Sequence, residues 1–209
     1  MRIAVLLYDE YTALDAVGPY EVLSRIPGAE VVFTAARRGP LRTDMKSLAL
    51  TADATLEEVD SADVLLVPGG PGTSARLTDQ AVVEWVRAVD ATTTWTTSVC
   101  SGSLLLAAAG LLEGRRATSH WICLDQLPRF GAQPIGTERV VIDGKYATAA
   151  GVSAGIDLAL TLTGRLAGDT MAQAIQLLIE YDPQPPYASG AMSKASPEVV
   201  EKARQLLSG

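Results

Sequence analysis

The sequence predicts an α/β domain in which helices cover both faces of a mostly parallel β-sheet. The first observation is a series of short apolar runs at residues 3–7, 31–35, 64–67, 94–99, 140–142 and 146–149. Most of these runs are continuously apolar, which is typical of strands that are buried on both faces. The second observation is the helical patterning of the intervening segments at residues 18–24, 79–90, 102–109, 154–166 and 169–180. Alternation of strands and helices favours right-handed βαβ units in three layers.

Turn and capping residues agree with this order of elements. Asp79 is placed to cap the helix at residues 79–90. The proline- and glycine-rich residues 68–72 end a buried strand in an irregular loop. Asp143-Gly144 predicts a tight hairpin between two short strands. A last helix begins at Ser196-Pro197-Glu198, with proline at the first helical position.

Length and composition indicate one globular domain. The chain has 209 residues, of which 48% are hydrophobic and 20% are charged. We expect a core at residues 1–181, followed by an extended arm and a C-terminal helix at residues 182–209. The net charge of −7 disfavours nucleic acid as a partner, and no apolar run reaches the roughly 18 residues of a membrane span. Because the chain has only two cysteines and no recognisable signal peptide, we expect the protein to be located in the reducing cytoplasm.

Cys100 is the candidate nucleophile. It follows the β-branched run at residues 94–99, and a helix is predicted directly after it. Ser98 and Gly102 flank it with small side chains, which a nucleophile on a sharp strand-to-helix turn requires. The start of a helix also favours a thiolate over a thiol. The alternative is that Cys100 is an ordinary small buried residue, as free cysteines usually are.

The loop at residues 68–72 and Asp15 are the candidate partners of this cysteine. No Gly-Lys-Ser/Thr follows the loop, which excludes a nucleotide P-loop. Backbone N–H groups near Gly70, together with that of Ser101, would instead stabilise a developing negative charge; the alternative is a plain turn. Asp15 has apolar neighbours, and burial would raise its pKa and let it donate a proton. Taken alone, a helix cap before Gly18 is the more common role for such an aspartate.

His120 is the single histidine, in the sequence T-S-H-W. A Cys–His pair is a common way to activate a thiol, but the spacing does not establish contact. We therefore expect His120 to line a pocket or to have a structural role. His120 and Cys123 are too few ligands for a zinc site, so no metal is expected. Further candidates for the pocket, from their positions at strand ends, are Tyr8, Trp121, Ile122, Val152 and Ser153.

These motifs resemble the ThiJ/PfpI superfamily, whose members share the class I glutamine amidotransferase-like fold. The resemblance is carried by L-D-A-V-G-P-Y-E-V-L, L-L-V-P-G-G-P-G, S-V-C-S-G-S-L-L-L-A-A-A-G-L-L, A-T-S-H-W and A-A-G-V-S-A-G-I-D-L-A-L. Within the superfamily the chain is most similar to isocyanide (isonitrile) hydratases. Three features support this: Asp15 where many members have glutamate, Ser101 directly after the cysteine, and the late segment I-E-Y-D-P-Q-P-P-Y.

The resemblance implies a flavodoxin-like three-layer sandwich, a homodimer, and neither metal nor organic cofactor. It also implies hydration of isocyanides to N-substituted formamides, with the isocyanide and water as the small-molecule partners. Cys100 would form a covalent thioimidate, and Asp15 would act as general acid and base. The backbone near Gly70 and Ser101 would face the intermediate.

Two departures from family patterns bear on function. Proteases and glyoxalase-type members often have histidine where Ser101 stands, so those activities lose support. Isocyanide hydratases commonly have threonine there, and serine keeps the hydroxyl. Three alternatives remain: a ligand-sensing domain like those that precede helix-turn-helix modules, a glyoxalase- or deglycase-type thiol enzyme, and a sensor in which Cys100 is oxidised to sulfinate.

Overall fold

The structure, a computed structural model, describes residues 1–208. Its strands are β1 (Arg2–Leu6), β2 (Glu30–Ala35), β3 (Gly39–Arg42), β4 (Ala49–Ala52), β5 (Ala54–Thr55), β6 (Val64–Val67), β7 (Trp95–Val99), β8 (Arg116–Ala117), β9 (Gln133–Pro134), β10 (Val140–Asp143) and β11 (Tyr146–Ala149). Seven of them form a sheet in the order β10-β11-β7-β6-β1-β2-β5. All neighbouring pairs are parallel except β10 and β11, which form the predicted hairpin at Asp143-Gly144. Strands β3 and β4, and β8 and β9, make two small separate sheets.

Helices cover the two faces of the central sheet. The α-helices are α1 (Ala13–Leu23), α2 (Thr73–Arg76), α3 (Gln80–Asp90), α4 (Gly102–Ala108), α5 (Ala154–Ala167), α6 (Asp169–Leu178) and α7 (Pro197–Ser208), and there are 3₁₀ turns at Leu56–Glu58 and Leu124–Phe130. Helix α5 packs against α1, α6 and strand β11, whereas α4 packs against α2, α3 and strands β6 and β7. The predicted three-layer α/β sandwich is therefore confirmed.

The core lies between the sheet and these two groups of helices. Strand β6 has strands on both sides, and all four of its residues are buried. A continuously apolar strand can occupy this position because both of its faces meet helices. Asp79 caps α3 by accepting a hydrogen bond from the Val82 N–H at 3.4 Å, as predicted.

The chain divides into two compact units by its internal contacts. The first is Met1–Ile179 and contains the central sheet; the second begins at Glu180 and contains α7. Helix α7 starts at Pro197, and the Val199 N–H donates to Ser196 Oγ at 3.4 Å, which is the predicted start of the last helix. Among residues 1–208, no helix combines the length and the apolar character needed to cross a membrane.

One helix boundary differs from the prediction in a way that matters for the site. Helix α1 begins at Ala13 rather than at residue 18, and Pro19 lies inside it. Asp15 is therefore in the first turn of α1 and is fully buried, and it is not the cap before Gly18 that its sequence context favours. The local sequence predicts a helix that starts at Gly18-Pro19, but packing of α1 on α5 carries the helix through both residues.

Strand β6 provides a test of the described core. Leu65 is fully buried in the central sheet, so Leu65→Ala should lower the free energy of unfolding by about 2–5 kcal/mol, because it removes apolar contacts and leaves a cavity. Leu177 in α6 is 78% exposed, and Leu177→Ala should change the free energy of unfolding by about 0.5 kcal/mol or less. Urea denaturation of both variants measures the difference. Equal losses would contradict the described burial.

Candidate active site

Cys100 occupies a strained turn between β7 and α4. Its φ is +59°, in the left-handed region that residues with a Cβ rarely adopt. The Cys100 N–H lies 3.1 Å from the Ala149 oxygen and 3.0 Å from the Ala150 oxygen, at the end of the neighbouring strand β11. Its carbonyl accepts a hydrogen bond from Ser119 Oγ at 3.0 Å. The predicted sharp turn is therefore present, and neighbouring segments hold its backbone from two sides.

Small residues around the turn let two backbone segments touch. A Cβ on Gly102 would overlap the carbonyl oxygen of Val67, at the end of the adjacent strand β6. A Cβ on Gly69 would lie 2.5 Å from the backbone nitrogen of Ser101 and 2.9 Å from Cys100 Cβ. Nonbonded atoms do not tolerate contacts this short. The close approach of residues 68–70 to the cysteine turn therefore requires glycine at positions 69 and 102.

The N–H groups of the glycine loop already have partners. Gly69 N–H donates to Asp15 Oδ2 at 3.0 Å, and Gly70 N–H donates to Ser101 Oγ at 2.9 Å. The sequence predicts that the Gly70 N–H faces a reacting group, but in this arrangement that N–H donates to the Ser101 hydroxyl. The loop therefore does not present a free N–H at Gly70, and it connects the acid to the residue after the cysteine.

Asp15 is the acid that this loop holds. Its side chain is fully buried, and Oδ1 has no partner that meets the geometry of a hydrogen bond. Burial raises the pKa of Asp15 to about 7, although the Gly69 N–H and the nearby Cys100 thiol lower it. The prediction that burial would raise this pKa is confirmed. A carboxyl group with this pKa exchanges its proton near neutral pH.

Cys100 is 7% exposed, and its thiol interacts with the same carboxyl. Burial raises the pKa of Cys100 well above its usual range, and the negative charge of Asp15 raises it further. The Ser101 N–H lowers the pKa because it donates to the sulfur. The start of the helix favours the thiolate through this N–H, as expected, but removal from water outweighs it, so the net pKa of Cys100 is raised.

The residues proposed for the pocket lie on two segments that hold the cysteine backbone. His120 follows Ser119; it is half-buried, its Nδ1 accepts a hydrogen bond from the Ile122 N–H at 3.4 Å, and its ring packs on Gly151. Burial lowers the pKa of His120. Its ring centroid lies 5.5 Å from that of Trp121.

Val152 and Ser153 follow the Ala150 carbonyl that binds the Cys100 N–H. Val152 is half-buried, whereas Ser153 is exposed and its Oγ accepts a hydrogen bond from Arg139 at 3.3 Å. Cys123 is half-buried, and its charge would raise the pKa of Cys100 slightly. Within residues 1–208, no three His, Cys, Asp or Glu side chains are grouped so that they could hold a metal ion.

The structure also brings Tyr8, a candidate for the pocket, together with Thr73, which the sequence did not single out. Tyr8 is buried, and its hydroxyl donates to the Pro68 carbonyl at 2.6 Å. Thr73 Oγ1 lies 2.9 Å from Ser101 Oγ. Thr73 directly follows the glycine loop, which is the one sequence signal that could have indicated it.

Comparison with known proteins gives matches over most of the chain. Residues 1–164 match the DJ-1/PfpI family. The chain is 42% identical over 205 residues to the isonitrile hydratase of Pseudomonas putida, covering 98% of this chain and 89% of that protein. A crystal structure of a ThiJ/PfpI family protein from Pseudomonas syringae superimposes with a TM-score of 0.94 at 40% identity, covering 99% and 86% of the two chains. The HTH-type transcriptional regulator CdhR of Pseudomonas aeruginosa is 36% identical over 126 residues, which are 60% of this chain and 37% of the regulator.

The raised pKa of Asp15 predicts a pH-dependent cost to stability. The folded protein binds the Asp15 proton more tightly than the unfolded chain, whose carboxyl has a pKa of about 3.9, so this group's contribution is lost as the pH rises from about 4 to about 7. Asp15→Asn cannot ionise. The difference in free energy of unfolding between Asp15→Asn and the unsubstituted protein should therefore shift in favour of the variant by roughly 3 kcal/mol when the pH is raised from about 5 to about 8.

Urea denaturation at the two pH values measures this gain. Asp53→Asn is the matched control, because Asp53 is an exposed aspartate that makes no contact with Asp15 or Cys100 in the site described above. If Asp15→Asn differed from the unsubstituted protein by the same amount at both pH values, the raised pKa would be refuted.

Proposed function

Because the chain belongs to the DJ-1/PfpI family, we propose that it is an isocyanide hydratase that converts isocyanides and water into N-substituted formamides. The observation that carries this proposal is the buried pair of Cys100 and Asp15, a thiol beside a carboxyl whose pKa is about 7. The identity to an isonitrile hydratase over nearly the whole chain supports the substrate class.

The pair is proposed to hold one proton at neutral pH. An ionised Asp15 opposes ionisation of Cys100, and this opposition disappears once the carboxyl is protonated. The two groups therefore lose a first proton far more readily than a second, and they titrate as a unit. In the reactive form the sulfur carries the charge, which the Ser101 N–H stabilises, and Asp15 carries the proton.

In the first step, Cys100 Sγ forms a bond to the terminal carbon of the isocyanide. Asp15 transfers its proton to that same carbon, which gives a thioimidate, R–N=CH–S, and leaves the carboxylate. Covalent capture divides one difficult hydration into two easier steps. A soft thiolate suits this carbon, and a positioned acid contributes about 10²–10⁴-fold to such proton transfers.

In the second step, water adds to the thioimidate carbon while the Asp15 carboxylate accepts one of its protons. Asp15 then gives that proton to the nitrogen, and the intermediate becomes R–NH–CH(OH)–S. When the C–S bond breaks, the hydroxyl proton returns to Asp15, the sulfur leaves as thiolate, and R–NH–CHO is released. One water molecule is consumed, and the pair recovers its single proton.

The two segments that hold Cys100 are proposed to line the substrate pocket, with His120, Trp121 and Val152 around the R group. His120 is proposed to shape the pocket as a neutral ring, since burial lowers its pKa. We further propose that the enzyme works as a cytoplasmic homodimer, as its resemblance to isocyanide hydratases implies.

A ligand-sensing role is the second candidate, and the match to CdhR favours it. That match covers 37% of the regulator, so the likeness does not extend to its whole length. A sensor would bind a small molecule in the same place without turnover. The buried acid of raised pKa supports the enzyme, because a binding site needs no group that exchanges protons.

Turnover of an aryl isocyanide tests the proposal. The purified protein should produce the formamide, followed by absorbance and confirmed by mass spectrometry, and Cys100→Ala should abolish the activity because the covalent step needs Sγ. Cys123→Ala is the matched control and should retain turnover. Asp15→Asn should lower kcat by about 10²-fold or more, while Asp53→Asn should not. Formamide at the same rate with Cys100→Ala would refute the mechanism, and none from the unsubstituted protein would favour the sensor.

The role of His120 gives a separate prediction. His120→Ala should retain kcat within about 10-fold, because a neutral ring that packs on Gly151 shapes the pocket and transfers no proton. The change should appear mainly in KM, and it should differ between small and large isocyanides. A loss of kcat as large as that of Cys100→Ala would instead make His120 part of the chemistry.

A further inference from the structure

Three buried hydroxyl groups form a line behind the cysteine turn. Tyr8 Oη lies 3.0 Å from Thr73 Oγ1, and Thr73 Oγ1 lies 2.9 Å from Ser101 Oγ. The three residues are 3%, 2% and 6% exposed, so water does not compete for these contacts. They come from three separate segments: the loop after β1, the start of α2 and the residue after the nucleophile. The chemistry proposed above uses none of these hydroxyls.

The two ends of the line determine the direction of every hydrogen bond in it. At one end, the Pro68 carbonyl lies 2.6 Å from Tyr8 Oη and can only accept, so Tyr8 must donate its proton there. Burial raises the pKa of Tyr8, which keeps that proton on the phenol. At the other end, the Gly70 N–H lies 2.9 Å from Ser101 Oγ and can only donate.

The protons between these ends follow by elimination. With its own proton on Pro68, Tyr8 accepts from Thr73, and Thr73 in turn accepts from Ser101. Ser101 Oγ also lies 3.3 Å from the Gly70 carbonyl, but donation there would leave the Ser101 and Thr73 oxygens 2.9 Å apart with no proton between them. The order is therefore Gly70 N–H to Ser101, Ser101 to Thr73, Thr73 to Tyr8 and Tyr8 to Pro68. Hydrogen bonds that point in one direction polarise and strengthen one another.

The line begins and ends on the same loop. Pro68 and Gly70 flank Gly69, whose N–H donates to Asp15 at 3.0 Å and whose α-carbon approaches the Ser101 nitrogen so closely that a Cβ there would lie 2.5 Å from it. A shift of this loop by a few tenths of an ångström would therefore alter both the N–H on the Asp15 carboxylate and the position of the Ser101 N–H on the sulfur.

We propose that Tyr8 and Thr73 are positioning residues, which hold the Gly69 N–H on Asp15 and the Ser101 N–H on Cys100 through this directed line of hydrogen bonds. Neither residue touches the reacting atoms. The effect on turnover rests on the proposed function, whereas the effect on the reactivity of the thiol does not.

Tyr8→Phe tests this proposal because it removes one hydroxyl and keeps the ring. In a Cys123→Ala background Cys100 is the remaining cysteine, so its alkylation by iodoacetamide is followed without interference. Loss of the line weakens the hydrogen bonds from the Gly69 N–H to Asp15 and from the Ser101 N–H to Cys100, and both of these stabilise negative charge. The pH profile of alkylation should therefore move upward by about 0.5–1 unit, and kcat on an isocyanide should fall about 5- to 10-fold with KM changed less than about 2-fold.

Thr73 variants and a matched tyrosine control make the test specific. Thr73→Val should shift the profile as Tyr8→Phe does, and Thr73→Ser, which keeps the hydroxyl, should restore it. The double variant Tyr8→Phe/Thr73→Val should shift little further, because both changes interrupt one line. Tyr11→Phe, a buried neighbour 6.4 Å from the Tyr8 ring, should leave the profile in place.

Several outcomes would overturn the proposal. Unchanged alkylation profiles in folded Tyr8→Phe and Thr73→Val would do so, as would a shift that Thr73→Ser fails to reverse, or additive shifts in the double variant. If Tyr8→Phe does not fold, the comparison of Thr73→Val with Thr73→Ser decides the question alone. Shifted profiles in a protein that makes no formamide would support the positioning role and refute the isocyanide substrate, so the two proposals fail separately.

Discussion

The left-handed backbone of Cys100 is the constraint on which the site depends. Such a conformation costs on the order of 1–3 kcal/mol for a residue with a side chain, and it persists only where its surroundings enforce it. Here the enforcement comes from the last residue of β11 and the residue after it, whose carbonyl oxygens lie 3.1 and 3.0 Å from the Cys100 nitrogen, and from the Ser119 hydroxyl, which donates to the Cys100 carbonyl.

The position of the acid follows from the order of the strands. Strand β1 pairs with β2 on one side and with β6 on the other, so the chain changes direction across the sheet between β1 and β6. Open α/β sheets bind ligands at such a point, beyond the carboxyl ends of the strands. Asp15 follows β1, the glycine loop follows β6, and Cys100 follows β7, so three neighbouring strands deliver the three parts of the site to one place.

Much of this was predictable because local sequence carries it. The continuously apolar run at residues 64–67 and the β-branched run at residues 94–99 identified β6 and β7 within about a residue, because such runs are typical of strands covered on both faces. The prediction was wrong where packing overrides local preference. Pro19 continues α1 because Gly155 of α5 lets the proline ring approach so closely that a Cβ there would lie 3.0 Å from it. Strands β3, β4, β8 and β9 were missed because each has two to four residues and a partner outside the central sheet.

The sequence by itself determined the cysteine turn, the glycine loop and an acid in apolar surroundings, because strain, close approach and burial leave marks in neighbouring residues. Only the tertiary structure decided which N–H group binds which oxygen. Gly69 meets Asp15 across 54 residues, and Tyr8 meets Thr73 across 65, through the register of β1 and β6. The direction of the Cys100 pKa was decided in the same way. The pKa is raised because the thiol is removed from water, and this burial depends on every segment that covers the thiol. The sequence around residue 100 does not reveal those segments.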